Sequence, residues 1–174
     1  LALAELLLSG CTTSTDHHYV FPDGLESGID LQVEAVKKLG VRAVLTRGSM
    51  DLSVDDGGLP PTSVVQDLDA ILSDSERLIS TYHDPDPGSF IQIALAPCSP
   101  FSVSRDVMMQ TADLARWENV LLHTHLAETE DENTYCQDLF GMRPLDYLED
   151  CGWLEDRTWL AHGIHFNETE MDRM

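Results

Sequence analysis

Apolar positions fall in short runs of strand length, separated by stretches with helical spacing. Val41-Arg-Ala-Val-Leu-Thr-Arg47, Phe90-Ile-Gln-Ile-Ala-Leu-Ala96, Val120-Leu-Leu122 leading into His125, and Thr158-Trp-Leu-Ala-His162 are such runs. They have the pattern of strands covered on both faces, as in parallel sheets. Cys11-Thr-Thr-Ser-Thr-Asp16 is rich in β-branched threonine and reads as a further, short strand.

The intervening stretches predict helices. Residues 1–9 read as the end of a helix stopped by Gly10. Leu31, Val33, Ala35, Val36 and Leu39 form a stripe that ends at Gly40, preceded by the capping-box spacing of Asp23 and Glu26. Ser63 and Gln66 have the spacing to cap a long helix reaching His83, and Ser104 to cap one reaching Trp117. Helical segments follow near 130–139 and 143–151, and Asn167 with Glu170 opens a last one. Residues 48–61, with Gly57-Gly58 and Pro60-Pro61, form a loop long enough to serve as a functional lid.

Five strands, each followed by a helix and with no hairpin signal, predict a parallel sheet with helices outside. A complete doubly wound domain and a partial (β/α)8 TIM barrel both fit. No G-x-G-x-x-G or phosphate loop follows any strand. The chain opens inside one helix and stops inside another, and its 174 residues fall short of the roughly 250 of a whole barrel. The favoured fold class is therefore α/β: a partial (β/α)8 TIM barrel of about five βα units. Residues 1–174 then form a single catalytic domain incomplete at both ends.

Composition narrows the partners. The net charge is −21 and the only lysines are Lys37 and Lys38, which argues against nucleic acid or an anionic membrane. No apolar run reaches 18 residues, so no membrane span is expected. Leu1–Gly10 carries Glu5 and no basic residue, which favours an amphipathic helix over a secretory leader. Cys11, Cys98, Cys136 and Cys151 form no C-x-x-C pair and read as reduced thiols of a cytoplasmic protein.

The chemistry gathers at strand ends. His123, His125 and Glu128 follow the apolar run at 120–122, and His162 and His165 close the run at 158–162. Carboxyl ends of parallel strands are where α/β enzymes keep their active sites. Two neighbouring strands ending in histidine suggest a metal site, with a carboxylate near enough to take a proton from water. His123 and His125 share a face, so either could be the ligand. Both lysines lie on a predicted helix, so no strand-borne lysine can bridge two ions, and one metal is expected. His17, His18, Arg47, Cys98 and Ser99 also follow strands and are candidates for substrate contact, as is His165. For each a plainer role is open: loop histidine, ion pair, or pocket lining.

These residues resemble a known family. His125-Leu-Ala-Glu128 followed by Leu160-Ala-His-Gly163 resembles the amidohydrolase superfamily, in its branch of purine, pyrimidine and triazine deaminases. Cys11–Pro22, Ala96–Phe101, His123–Thr129, Phe140–Pro144 and Trp159–Phe166 resemble the group of 8-oxoguanine deaminase and hydroxydechloroatrazine ethylaminohydrolase. The resemblance covers the whole chain as the middle of a longer protein. It implies a barrel with one divalent metal ion, zinc or iron, held by His125 on barrel strand five and His162 on strand six. It makes Glu128 the proton shuttle and places Arg47 and the residues after Cys98 at the substrate. The family's H-x-H pair on strand one and its metal-binding Asp on strand eight have no counterpart here, so the chain alone is expected to be inactive. The expected reaction is hydrolytic deamination of a small heteroaromatic ring, 8-oxoguanine to urate and ammonia. The alternatives are triazine ethylamine hydrolysis and a non-catalytic truncated chain that binds a partner. A homo-oligomeric full-length protein stays open.

Overall fold

The computed structural model describes all 174 residues. Five strands form one sheet: β1 (Thr13–Thr15), β2 (Arg42–Ser49), β3 (Ile91–Pro97), β4 (Leu121–Leu126) and β5 (Thr158–His162). Every pairing is parallel, and the spatial order β1-β2-β3-β4-β5 follows the chain. A doubly wound sheet reverses its strand order at a switch point. This sheet has no reversal, which is the strand order of a (β/α)8 barrel. The fold is a curled part of such a barrel, five βα units in succession.

The helices are α1 (Ala2–Leu8), α2 (Gly28–Leu39), α3 (Leu68–Tyr82), α4 (Arg105–Glu118), α5 (Glu130–Phe140), α6 (Pro144–Asp150) and α7 (Glu168–Met171). Alternate strand residues Ala43 and Leu45, Ile91, Ile93 and Leu95, and Leu122 and Leu126 join Ile29, Val33, Val36, Ile71, Leu78 and Met108 of the helices in one buried cluster. Trp153 lies within it, wholly buried, and satisfies its indole by donating to the Met108 carbonyl at 2.8 Å. The opposite face carries Thr46, Ala94, Ala96, His123 and His125. It is this face that the site uses.

Most predicted elements lie within two residues of their expected limits, and two caps differ. Glu26 accepts from the Gly24 N–H rather than completing a box with Asp23, and α2 starts after Ser27, which makes no side-chain cap bond. The helix expected after Ser63 begins five residues later. Asp67 caps it, its Oδ1 accepting from Ala70 N–H at 2.9 Å, while Thr62–Val64 is a single 3-10 turn. The loop at 48–61 is tightly folded, with Ser53 and Asp56 forming a complete capping box around Val54–Asp56.

Candidate active site

Three features bring the site residues together. The first is a crossing. After β1 the segment His17–Tyr19 passes over β2 so closely that a β-carbon at Gly48 would lie 2.4 Å from the His18 carbonyl oxygen. Glycine there admits the approach, and its N–H donates to that oxygen at 2.9 Å. Asp16 anchors the start of the crossing, accepting from Thr46 N–H at 2.8 Å and from the Gln32 amide at 2.8 Å. The His18 N–H then donates to Thr46 Oγ1 at 2.9 Å.

The second feature is a set of imidazoles each tethered to a main-chain carbonyl. His125 Nδ1 donates to Cys98 O at 2.8 Å, His123 Nδ1 to Trp159 O at 2.9 Å, and His17 Nε2 to Ala96 O at 3.0 Å. Each bond fixes a tautomer and leaves the other ring nitrogen with a free lone pair, the arrangement that orients histidines for a metal. The His125 ring stacks with that of His17 at 4.3 Å and with that of His162 at 5.2 Å. Burial, against the pull of the Ala96 bond, drives His17 down to about 3, and burial lowers His123 as well. Both are neutral at physiological pH.

The third feature is local backbone strain. Three non-glycine residues have positive φ, and two of them are Ala127 at 53° and His162 at 143°. They sit at the ends of the two histidine-bearing strands, where strain of this kind concentrates in functional sites. The turn at Ala127 brings the Glu128 carboxylate back over β5, its Oε1 3.5 Å from His162 Nε2. Ala127 N–H and Glu128 N–H both donate to Glu132, at 2.8 and 2.9 Å. Burial pushes Glu132 up, and these two amides pull it back.

A cleft of about 520 Å³ opens at this point, lined by Tyr19, Leu59, Cys98, Phe101, His125 and Glu128 among others. The candidates thus divide. His125 and Glu128 line the cleft, and His162 stands beside Glu128 at its rim. Of the two histidines on β4, His125 lines it, whereas His123 lies flat on Trp159 at 4.4 Å and is 6% exposed. Cys98 and Ser99 line it too. Burial raises the Cys98 thiol, so it is a neutral wall rather than a thiolate nucleophile, and Ser99 Oγ is engaged with Ser102 Oγ at 3.1 Å. His17 supports the back of His125.

Three candidates lie elsewhere. Arg47 points from β2 into the helix layer, 2% exposed, donating to Asp74 at 2.7 Å and Gln66 at 2.9 Å and covering the Phe21 ring. The ion pair considered for it exists, but buried, and nothing is left to meet a substrate at the mouth. His18 turns outward from the crossing, edge-on to Phe21 and close to Gly28 of α2, because consecutive residues of an extended segment face opposite ways. His165 donates to Glu130 at 2.9 Å, and its N–H holds the Ala127 carbonyl at 3.1 Å, so it ties the two strand ends together outside the cleft. Tyr19 and Glu132 escape sequence reasoning: Tyr19 is an ordinary loop aromatic in sequence, and Glu132 is one acid in an acidic run. Phe101 falls among the residues after Cys98 that the resemblance places at the substrate.

The residues present fit a divalent ion as part of its ligand set. His125 and His162 offer two adjacent imidazoles, one with its coordinating nitrogen already exposed by the Cys98 bond. No three His, Cys, Asp or Glu side chains of the chain converge to close a site by themselves.

A profile of the amidohydrolase family matches residues 1–174. The chain belongs to the amidohydrolase family. Within it, the chain is 60% identical over 174 residues to 8-oxoguanine deaminase of Pseudomonas aeruginosa, covering 100% of this chain and 39% of that protein. It is 36% identical over 175 residues to hydroxydechloroatrazine ethylaminohydrolase of Pseudomonas sp. strain ADP, covering 100% of this chain and 36% of that protein. Among solved structures, atrazine chlorohydrolase of Arthrobacter aurescens complexed with zinc superposes with a TM-score of 0.93 at 35% identity, over 98% of this chain and 38% of that one. This amidohydrolase chain thus spans less than two fifths of the length of each of these relatives.

Proposed function

We propose that the full-length protein is a metal-dependent hydrolytic deaminase, and that residues 1–174 form a part of its single catalytic barrel domain. The observation that carries this reading is Glu128 Oε1 beside His162 Nε2, at the rim of a cleft that His125 also lines. His125 and His162 would hold the ion. When bound, a divalent ion supplies the positive charge that makes water acidic enough to ionise near neutral pH. Glu128 takes the proton released by the attacking water and delivers it to the ring nitrogen beside the carbon that bears the amino group. Tyr19 and Phe101 flank a planar ring and exclude bulk solvent from it. Cys98 holds the ligand rather than the substrate, since its carbonyl oxygen fixes the tautomer of His125.

We take 8-oxoguanine as the substrate, with urate and ammonia as products; water supplies the oxygen that replaces the amino group. The 60% identity to 8-oxoguanine deaminase supports this choice. The second reading is loss of ethylamine from a hydroxylated triazine, supported by the weaker identity of 36%. Zinc is the proposed metal because amidohydrolase relatives of this structure contain it. Four free cysteines suit a reducing cytoplasm, and no helix is long and apolar enough to cross a membrane. Turnover of 8-oxoguanine and hydroxyatrazine by the full-length zinc-loaded protein tests the assignment. Urate formation at the higher kcat/KM supports it, and ethylamine release at the higher kcat/KM replaces it with the second reading.

A further inference from the structure

Helix α5 opens on three carboxylates, Glu130, Asp131 and Glu132, of which only Glu132 is buried, at 2% exposure. A glutamate at this third helical position ordinarily reaches back to the N–H of the N-cap. The N-cap here is Thr129, which makes no side-chain cap bond, and Glu132 reaches past it. Its Oε1 accepts from Ala127 N–H at 2.8 Å and its Oε2 from Glu128 N–H at 2.9 Å. These amides belong to the turn that carries β4 into Glu128. Ala127 is 1% exposed, with φ at 53°, a conformation that a β-carbon disfavours. The other side of the turn is held as well: Leu126 O accepts from Gly163 N–H at 3.2 Å and Ala127 O from His165 N–H at 3.1 Å. A carboxylate only accepts, and its two oxygens match two convergent N–H donors.

We infer that Glu132 is a positioning residue for Glu128: its carboxylate fixes the Ala127–Glu128 backbone so that the Glu128 carboxylate stands beside His162. Each Glu132 oxygen holds one of these amides, and the side chain is buried and outside the cleft lining, so it acts through Glu128 and not on the substrate. The inference rests on the proton-transfer role proposed for Glu128.

The test is Glu132→Gln in the full-length zinc-loaded protein. The amide is isosteric, but its nitrogen opposes a backbone donor, so one of the two bonds is lost. Turnover should fall by about tenfold or more while KM and bound zinc stay within about twofold, as expected of a misplaced reacting group. Exchange of the Ala127 and Glu128 amides, followed by NMR, should accelerate by a similar factor. Ala127→Gly added to Glu132→Gln separates positioning from relief of backbone strain. Thermal stability that recovers while kcat stays low supports positioning, and kcat that recovers together with stability overturns it. Should Glu132→Gln fail to fold, Glu132→Asp keeps both acceptors on a shorter stem; reduced kcat with normal zinc supports the inference, and wild-type kcat overturns it. A Glu128→Gln protein with normal turnover would sink the shuttle role alone, whereas unchanged amide exchange in Glu132→Gln would sink the clamp alone.

Discussion

Glu128 and His162 meet across the seam between two adjacent parallel strands, carboxylate oxygen to ring nitrogen at 3.5 Å. Neither strand could place the pair by itself. The parallel register sets His125 against Ala161 and Leu126 against His162, which brings the two strand ends level. The turn at Ala127 then folds Glu128 across to β5.

Glu128→Gln follows directly. The amide preserves shape and cannot carry a proton between water and a ring nitrogen. In the full-length protein, zinc content and thermal stability should match wild type while kcat falls by about 10²- to 10⁴-fold, the usual share of a general acid–base group. Unaltered kcat would remove Glu128 from the chemistry.

Gly48→Ala probes the crossing of His17–Tyr19 over β2. The new methyl meets backbone and Cβ atoms, the His18 oxygen at 2.4 Å and Tyr19 Cβ at 2.6 Å, and no flexible side chain can yield. Urea unfolding should show a loss of about 2 kcal/mol, in the range of overpacked interiors. The crossing carries His17 and Tyr19 to the site, so zinc affinity should weaken in parallel. Wild-type stability would mean that the crossing yields easily.

Arg47→Met tests a structural assignment. Removing the guanidinium strips Asp74 and Gln66 of a buried donor, although Asp74 retains Arg77 at 2.7 Å. The expected destabilisation is about 3 kcal/mol, the low end for breaking a buried pair, because Asp74 keeps that second partner. Arg47→Lys should recover little of it, since an ammonium cannot span Asp74, Gln66 and the Gly48 carbonyl with one planar fork. A variant that instead raises KM with stability intact would return Arg47 to the substrate.

The pair of Arg143 and Glu170 gives a pH dependence. Two hydrogen bonds from Arg143 hold Glu170 below the ordinary carboxylate range. A depressed native value means that the unfolded chain binds the proton more readily. The stabilisation is therefore complete above the unfolded glutamate value and is lost as pH falls through the native one. Water reaches the arginine, 36% exposed, so Arg143→Met should cost only about 1 kcal/mol at pH 7. Urea titrations of both proteins should show that difference shrinking between pH 7 and pH 3; a constant difference would place the effect in packing.

Strand ends were the legible part of the site. An apolar run closing on His125 or His162 announces both its burial and its chemistry, and the helical spacing between runs fixes the βα alternation. Arg47 was not legible, for a physical reason. Val41, Ala43 and Leu45 share its face, with Arg42 and Thr46 on the other, so parity alone turns Arg47 toward the apolar side, where an arginine is buried only if it finds partners. Only the tertiary partners Asp74 and Gln66 settle it. Gln66 misled in the same way: its spacing from Ser63 fits a cap, but its oxygen serves Arg47, and Asp67 starts the helix. Glu132 was hidden because three acids in succession look like a solvated helix start. Its burial arises where the strained turn packs over α5, a relation between segments rather than a pattern within one.

Consecutive strand order has a consequence for how the chain acquires its shape. Each strand pairs only with its predecessor and its successor in sequence. During synthesis a newly emerged strand therefore finds its partner already made, and folding can grow from β1 toward β5 one unit at a time. Within this run β2, β3 and β4 each find both neighbours close in sequence, so each new pairing covers the edge left by the one before. Of these five strands the two that bear His125 and His162 are made last, so those imidazoles and Glu128 come together only after β1, β2 and β3 have formed.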